Sequence, residues 1–152
     1  MQTSENVELA WTRFYVQYGR AMLGWAMIES ELATLFSVLT RISPDIAVQI
    51  FYSPRGFKGR TDIFKASLNA CKISEELRTL TRALLNKADQ YSDCRNRFAR
   101  DQPLLRQTAL PAAWDILLVD GKRQFQDDET KRKDMVQAMP TQDIAVVADQ
   151  FL

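Results

Sequence analysis

The chain has 152 residues, 46% of them hydrophobic and 26% charged, with a formal charge of +1, which suits one folded domain able to bury a core without a metal or disulfide. It contains no histidine, which excludes a histidine-dependent triad, a His-x-Glu deaminase centre and a Cys-His zinc finger. The near-zero charge gives no global attraction for nucleic acid, so any basic surface must be local.

Gly-x-x-x-x-Gly-Lys, Gly-x-Gly-x-x-Gly and Gly-x-Ser-x-Gly are absent, so no phosphate loop or nucleophile elbow is expected, and neither a cofactor nor a metal. Cys71 and Cys94 are far apart and lie on or beside apolar helical positions, as buried free thiols of a reducing cytoplasm do. No leading segment joins basic residues to a short apolar run, and no uninterrupted apolar stretch approaches the ~20 residues of a membrane span. The expectation is a cytoplasmic chain with no membrane partner.

From about Asn6 to Thr40, Trp11, Phe14, Tyr18, Met22, Trp25, Ile28, Leu32, Leu35 and Leu39 recur in steps of three and four, the pattern of one long amphipathic helix. Ser4 is the expected cap, with Glu5 and Glu8 at the positive end of the helix dipole. Gly19 and Gly24 inside this helix each cost ~1 kcal/mol against alanine and mark either the close approach of another helix or a bend. Ser43-Pro44-Asp45 starts a second helix on Ile46, Ala47, Ile50 and Phe51, and Ser53-Pro54-Arg55-Gly56 ends it.

A third helix is expected over Phe57 to Cys71, and a fourth from a cap at Ser74 to about Arg100. The apolar line of the fourth reads Leu77, Leu80, Leu84, Ala88, Tyr91, Phe98, and at ~100° per residue Arg95 falls near its middle. An unpaired charge buried there would cost several kcal/mol at least, so Arg95 must meet a carboxylate, a second subunit or a phosphate. After Pro103, residues 114–119, the turn pair Asp120-Gly121 and residues 122–126 read as a β-hairpin. Asp127 to Lys133 reads as a solvated charge run, and Pro140-Thr141 opens a last helix with Ile144, Val147, Ala148 and Phe151 inward.

The expected fold is therefore all-α, an antiparallel bundle of four to five helices with a small β-hairpin before the C-terminal helix. Residues 1–152 read as a single domain, with a helical core over about 5–101, the hairpin over 112–127 and the closing helix over 141–152.

Arg95, Arg97, Arg100 and Arg106 cluster at the end of the fourth helix, and Arg55, Lys58 and Arg60 near the start of the third. Phosphate binding is one reading of this basic density. A solvated face of ion pairs is the other, since Asp89, Asp93 and Asp101 interleave with the arginines. Glu29 lies near the centre of the first helix's apolar line, so a Glu29–Arg95 pair between the two long helices is the structural alternative for Arg95. Trp11 and Trp25 lie on the core stripe and read as core or dimer seam before they read as base-stacking residues.

The order of a long helix, Trp25-x-x-Ile28-Glu29, Ile50-Phe51-Tyr52-Ser53, Arg60-x-Asp62 and Arg95-Asn96-x-x-Ala99 resembles the HEPN superfamily, the higher eukaryote and prokaryote nucleotide-binding helical domains, over about residues 11–100. Many HEPN nucleases carry arginine, a polar residue, three more positions and then histidine. Arg95 matches the motif arginine and Asn96 its polar neighbour, while Arg100 stands where the histidine is missing. The resemblance implies a homodimer in which both motifs face one cleft and, in active members, metal-independent cleavage of RNA through the ribose 2′-hydroxyl.

In the terms of that resemblance, Arg95, Asn96 and Arg100 form a degenerate catalytic set, Arg97 and Arg106 contact substrate, and Glu29 supports. Arg100 stays protonated because its pKa exceeds ~12, so it stabilises negative charge but does not serve as a base. On one unbroken helix Arg95 and Arg100 diverge by about 140°, so they converge only through a symmetric partner or a break near Phe98. Three functions stay open: a dimer that binds RNA or a protein partner, such as an antitoxin or defence component, without efficient cleavage; a toxin or defence endoribonuclease; and a non-enzymatic helical interaction protein.

Overall fold

A computed structural model describes residues 2–108, 113–119 and 139–151. The fold is all-α with a small antiparallel β insertion before the last helix. In chain order come α1 (Gln2–Thr40), α2 (Pro44–Tyr52), α3 (Phe57–Ala70), α4 (Glu75–Arg100), β1 (Gln102–Gln107), β2 (Trp114–Val119), β3 (Met139–Pro140) and α5 (Thr141–Phe151). The chain divides into two compact units, one made of residues 26–93 and the other of residues 1–25 with 94–152.

The first unit is a four-helix bundle. Leu32, Ala33, Phe36 and Leu39 of α1 bury against Ala47 and Phe51 of α2, Phe64 and Leu68 of α3, and Leu85 and Ala88 of α4. Phe36 lies at its centre, edge-on to Phe64 at 5.1 Å and tilted to Phe51 at 6.3 Å, arrangements that suit the ring quadrupoles. Pro44 opens α2 with its fixed φ and absent N–H, and the Ser74 hydroxyl accepts the Leu77 N–H at 3.2 Å to cap α4. Arg41 ends α1 with φ of 60°, its N–H bonded to the Ser37 carbonyl at 2.9 Å, a left-handed C-terminal cap built without glycine.

The second unit contains the sheet, in the order β1-β2-β3. β1 and β2 pair antiparallel from Gln102 opposite Val119 to Gln107 opposite Trp114. Ile116, Leu117 and Leu118 of the central strand are all buried, as are Phe14, Trp25 and Phe98 of the helices and Ile144 of α5. Pro103 lies in β1, an edge strand, where its missing N–H costs least.

Several sequence expectations change. The strand at 114–119 is present, but its hairpin partner is β1, which the reading after Pro103 did not anticipate; Asp120-Gly121, residues 122–126 and the 127–133 charge run lie outside the described residues. Ser4 falls inside α1, whose helix starts at Gln2. A methyl group at Gly19 would meet nothing within 4 Å, so this glycine marks no close approach. Ile144 is buried as expected, while the side chains of Val147, Ala148 and Phe151 are outside the description.

The largest change concerns α4. Ala88 and Phe98 of the expected line are buried, but Leu77, Leu80 and Leu84 are 39%, 61% and 48% exposed, and Thr81, Leu85 and Ser92 are buried beside Ala88 instead. The inward face is turned by a little under one residue step of ~100° from the apolar line. The outer face of α1 also keeps apolar residues, among them Leu9, Val16, Leu23, Met27 and Val38. By length and composition alone, α1 contains an 18-residue stretch within Asn6–Thr40, of mean hydropathy 1.3, that is apolar enough to cross a membrane. A core helix passes the same test.

Candidate functional site

The polar residues singled out by the sequence fall into separate groups. In the 26–93 unit, Arg60 Nη1 donates to Glu29 Oε1 at 2.6 Å, both side chains being about one-sixth exposed. The Arg60 guanidinium also lies over the Tyr52 ring, 4.7 Å from its centroid. Burial first, and the Glu29 carboxylate second, hold the Tyr52 phenol above its ordinary pKa of 10.0, while Arg60 pulls the other way. The carboxylate offered to Arg95 as a structural alternative is thus held by Arg60. Glu29, Tyr52 and Arg60 come from three separate helices, and the fold brings them into one group.

A second group, missed by the sequence reading, centres on Asp89. Lys65 Nζ donates to one carboxylate oxygen at 2.6 Å, and the Thr61 hydroxyl lies 2.7 Å from the other. Thr61 is fully buried, so its single proton is best used on this charged acceptor, ahead of the Lys58 carbonyl at 3.0 Å. Lys58 bridges to Asp62 one turn on at 2.5 Å, and that hydrogen bond holds its pKa up. The signal for this group was Asp89 itself, placed beside Ala88 on the true inner face of α4.

The arginine-rich segment belongs to the other unit. α4 continues unbroken through Arg100, so the break near Phe98 that would let Arg95 and Arg100 converge within one chain does not occur. The Tyr18 hydroxyl donates to the Phe98 carbonyl at 3.0 Å in this last turn. Asp101 follows immediately, its N–H on the Arg97 carbonyl at 2.7 Å and its side chain only 2% exposed. It accepts from Arg97 Nε at 3.3 Å and from Arg100 Nε at 3.4 Å. One buried carboxylate therefore holds both arginines, whose side chains remain 37% and 51% exposed. Here, and at Asp89 and Glu29, the ion-pair reading of the basic density is the one the structure carries.

Arg95 is the exception. It is half-buried, its Nε is sealed from solvent without a hydrogen-bond acceptor, and its Nη1 donates to the exposed Asn96 Oδ1 at 3.3 Å. Among the described residues no carboxylate pairs with it. A guanidinium in this state lacks the acceptors that would offset its desolvation, and it offers them to an incoming anion. Arg106, on β1 opposite Asp115 in register, likewise has a buried Nε without an acceptor among the described residues. These groups provide positive charge and fixed donors, which position and neutralise; among the described residues no cluster of three or more His, Cys, Asp or Glu could hold a metal ion.

No protein-family model, curated protein or solved structure matches this chain.

Proposed function

We propose that this chain is a HEPN-like homodimeric domain with a degenerate ribonuclease site, which binds RNA in a toxin or defence setting without cleaving it efficiently. The observation that carries this reading is the state of Arg95: half-buried, beside Asn96, with a sealed Nε and no carboxylate among the described residues. A phosphodiester supplies the missing acceptors. Arg97 and Arg100, oriented by Asp101 and still partly exposed, add charge next to it. No group in this set accepts a proton as a histidine would, because Arg100 stays protonated at neutral pH. Binding without efficient cleavage follows.

The homodimer has its own support. In the 26–93 unit Leu77, Leu80 and Leu84 of α4 are exposed and form one side of the helix. A two-fold contact along this face covers the leucines. Since α4 is unbroken at Phe98, a second copy is the remaining way for Arg95 and Arg100 to meet.

The test is fluorescence anisotropy with a labelled single-stranded RNA, with gel analysis of the same RNA for cleavage. The protein is expected to bind without cutting, and Arg95→Ala to weaken binding by about tenfold, as loss of a charge-assisted phosphate contact does. Arg100→His is expected to restore cleavage that Arg95→Ala in the same background abolishes. Absence of RNA binding by the native protein, together with no cleavage by Arg100→His, would refute the proposal.

A further inference from the structure

A cleft of about 420 Å³ opens in the 26–93 unit where α1 and α3 end, and none of the groups described above lines it. Its floor is apolar, formed by Phe36, Leu39, Ile42 and Ile50. Arg41 and Lys72 stand in its wall, and no carboxylate does. A cleft of this size and lining falls in the range used for small ligands. The two cations decide what kind.

Cations beside helix C-termini ordinarily serve the last carbonyls and the negative end of the dipole. Here several of the carbonyls near the two helix ends have other donors. The Arg41 backbone N–H takes Ser37 O, and the Thr40 hydroxyl takes Phe36 O at 2.6 Å. At the end of α3 the Arg78 guanidinium takes Leu68 O and Cys71 O, and the Cys71 thiol donates to Ser67 O at 3.2 Å. The side chains of Arg41 and Lys72 make no hydrogen bond or ion pair among the described residues. Arg41 moreover holds φ of 60°, a conformation that glycine would adopt without strain. The fold accepts that cost for a residue whose side chain bonds nothing else described.

The geometry points to a binding site for a small amphipathic monoanion, an aliphatic or aryl carboxylate whose carbon body lies on the Phe36–Ile50 floor and whose charge meets Arg41 and Lys72. This site is independent of the RNA reading. It shares no residue with the Arg95 segment.

The cleft carries its own reporter, since Cys71 lines it and Cys94 does not. The experiment measures iodoacetamide alkylation of both thiols by peptide mass mapping, with octanoate as the probe and octanol as its uncharged counterpart. Octanoate at ten times its dissociation constant is expected to slow Cys71 by about tenfold and to leave Cys94 unchanged, with octanol protecting far less. Arg41→Gly separates folding from binding, because it relieves the backbone while removing a charge. It is expected to raise the melting temperature and weaken octanoate, and together with Lys72→Gln to cost about tenfold in affinity. Equal protection of both cysteines, equal protection by octanol, or unchanged affinity in the double variant would overturn the site. Protection by an apolar peptide bearing one acidic residue, without protection by octanoate, would assign the cleft to a protein segment instead.

Discussion

Tyr52 shows most directly how one residue reports on its neighbours. Its phenol is held above the ordinary tyrosine pKa by burial and by Glu29, so the folded protein grips this proton more tightly than the unfolded chain does. Stability from this source is complete below about pH 10 and is lost as the pH rises through the folded-state value. A tyrosine-resolved NMR titration is expected to place Tyr52 above the ordinary phenol value of 10.0. Glu29→Gln should bring Tyr52 down and, by leaving Arg60 half-buried without its carboxylate, cost about 3 kcal/mol in urea unfolding. If Tyr52 titrates at or below 10.0, the Glu29–Tyr52–Arg60 arrangement is wrong. Glu29 was legible in the sequence as a charge in an apolar line, yet its partner was not. Sequence spacing fixes the face a residue occupies, and the choice between Arg60 and Arg95 depends on how the helices pack.

Within the helices, two glycines separate intrinsic propensity from packing. Gly19 is exposed with open space around it, so Gly19→Ala is expected to stabilise by about 1 kcal/mol. Gly59 in α3 offers the same gain in propensity, but a methyl group there would stand 2.9 Å from Pro54 Cβ. The proline ring has little freedom to yield, so Gly59→Ala is expected to lower the melting temperature; a rise equal to that of Gly19→Ala would contradict the contact. Helix boundaries were read well because Ser43-Pro44, Ser53-Pro54 and Ser74 are strong local signals. The inner face of α4 was read only in part: Ala88 and Phe98 are buried as expected, but Leu77, Leu80 and Leu84 form a better apolar line than Thr81, Leu85 and Ser92, and periodicity alone does not show which line faces the core. β1 was missed for a related reason: Gln102-Pro103-Leu104 carries a proline, which argues against a strand unless that strand lies at an edge.

For the molecule as a whole, the exposed leucines on α4 lead to a prediction about assembly. Sedimentation velocity is expected to show a dimer for the native protein and a monomer for Leu80→Glu with Leu84→Glu, with unchanged helical content because both side chains are already about half exposed. A monomeric native protein would refute the proposed two-fold site. The all-α class was legible in full, from five stretches of helical periodicity. The candidate site was legible only as a set of residues, since the sharing of Asp101 by Arg97 and Arg100 depends on where α4 ends and how the chain turns into β1.

That turn has another consequence. β1 presents the outer rim of the sheet, and Pro103 lies in it without an N–H to give. A strand from another molecule that tried to dock there would find the ladder broken near its first rung, which is how natural edges resist end-on polymerisation. Replacing Pro103 by a residue with an N–H would open that rim to fibre-like growth, which the proline resists.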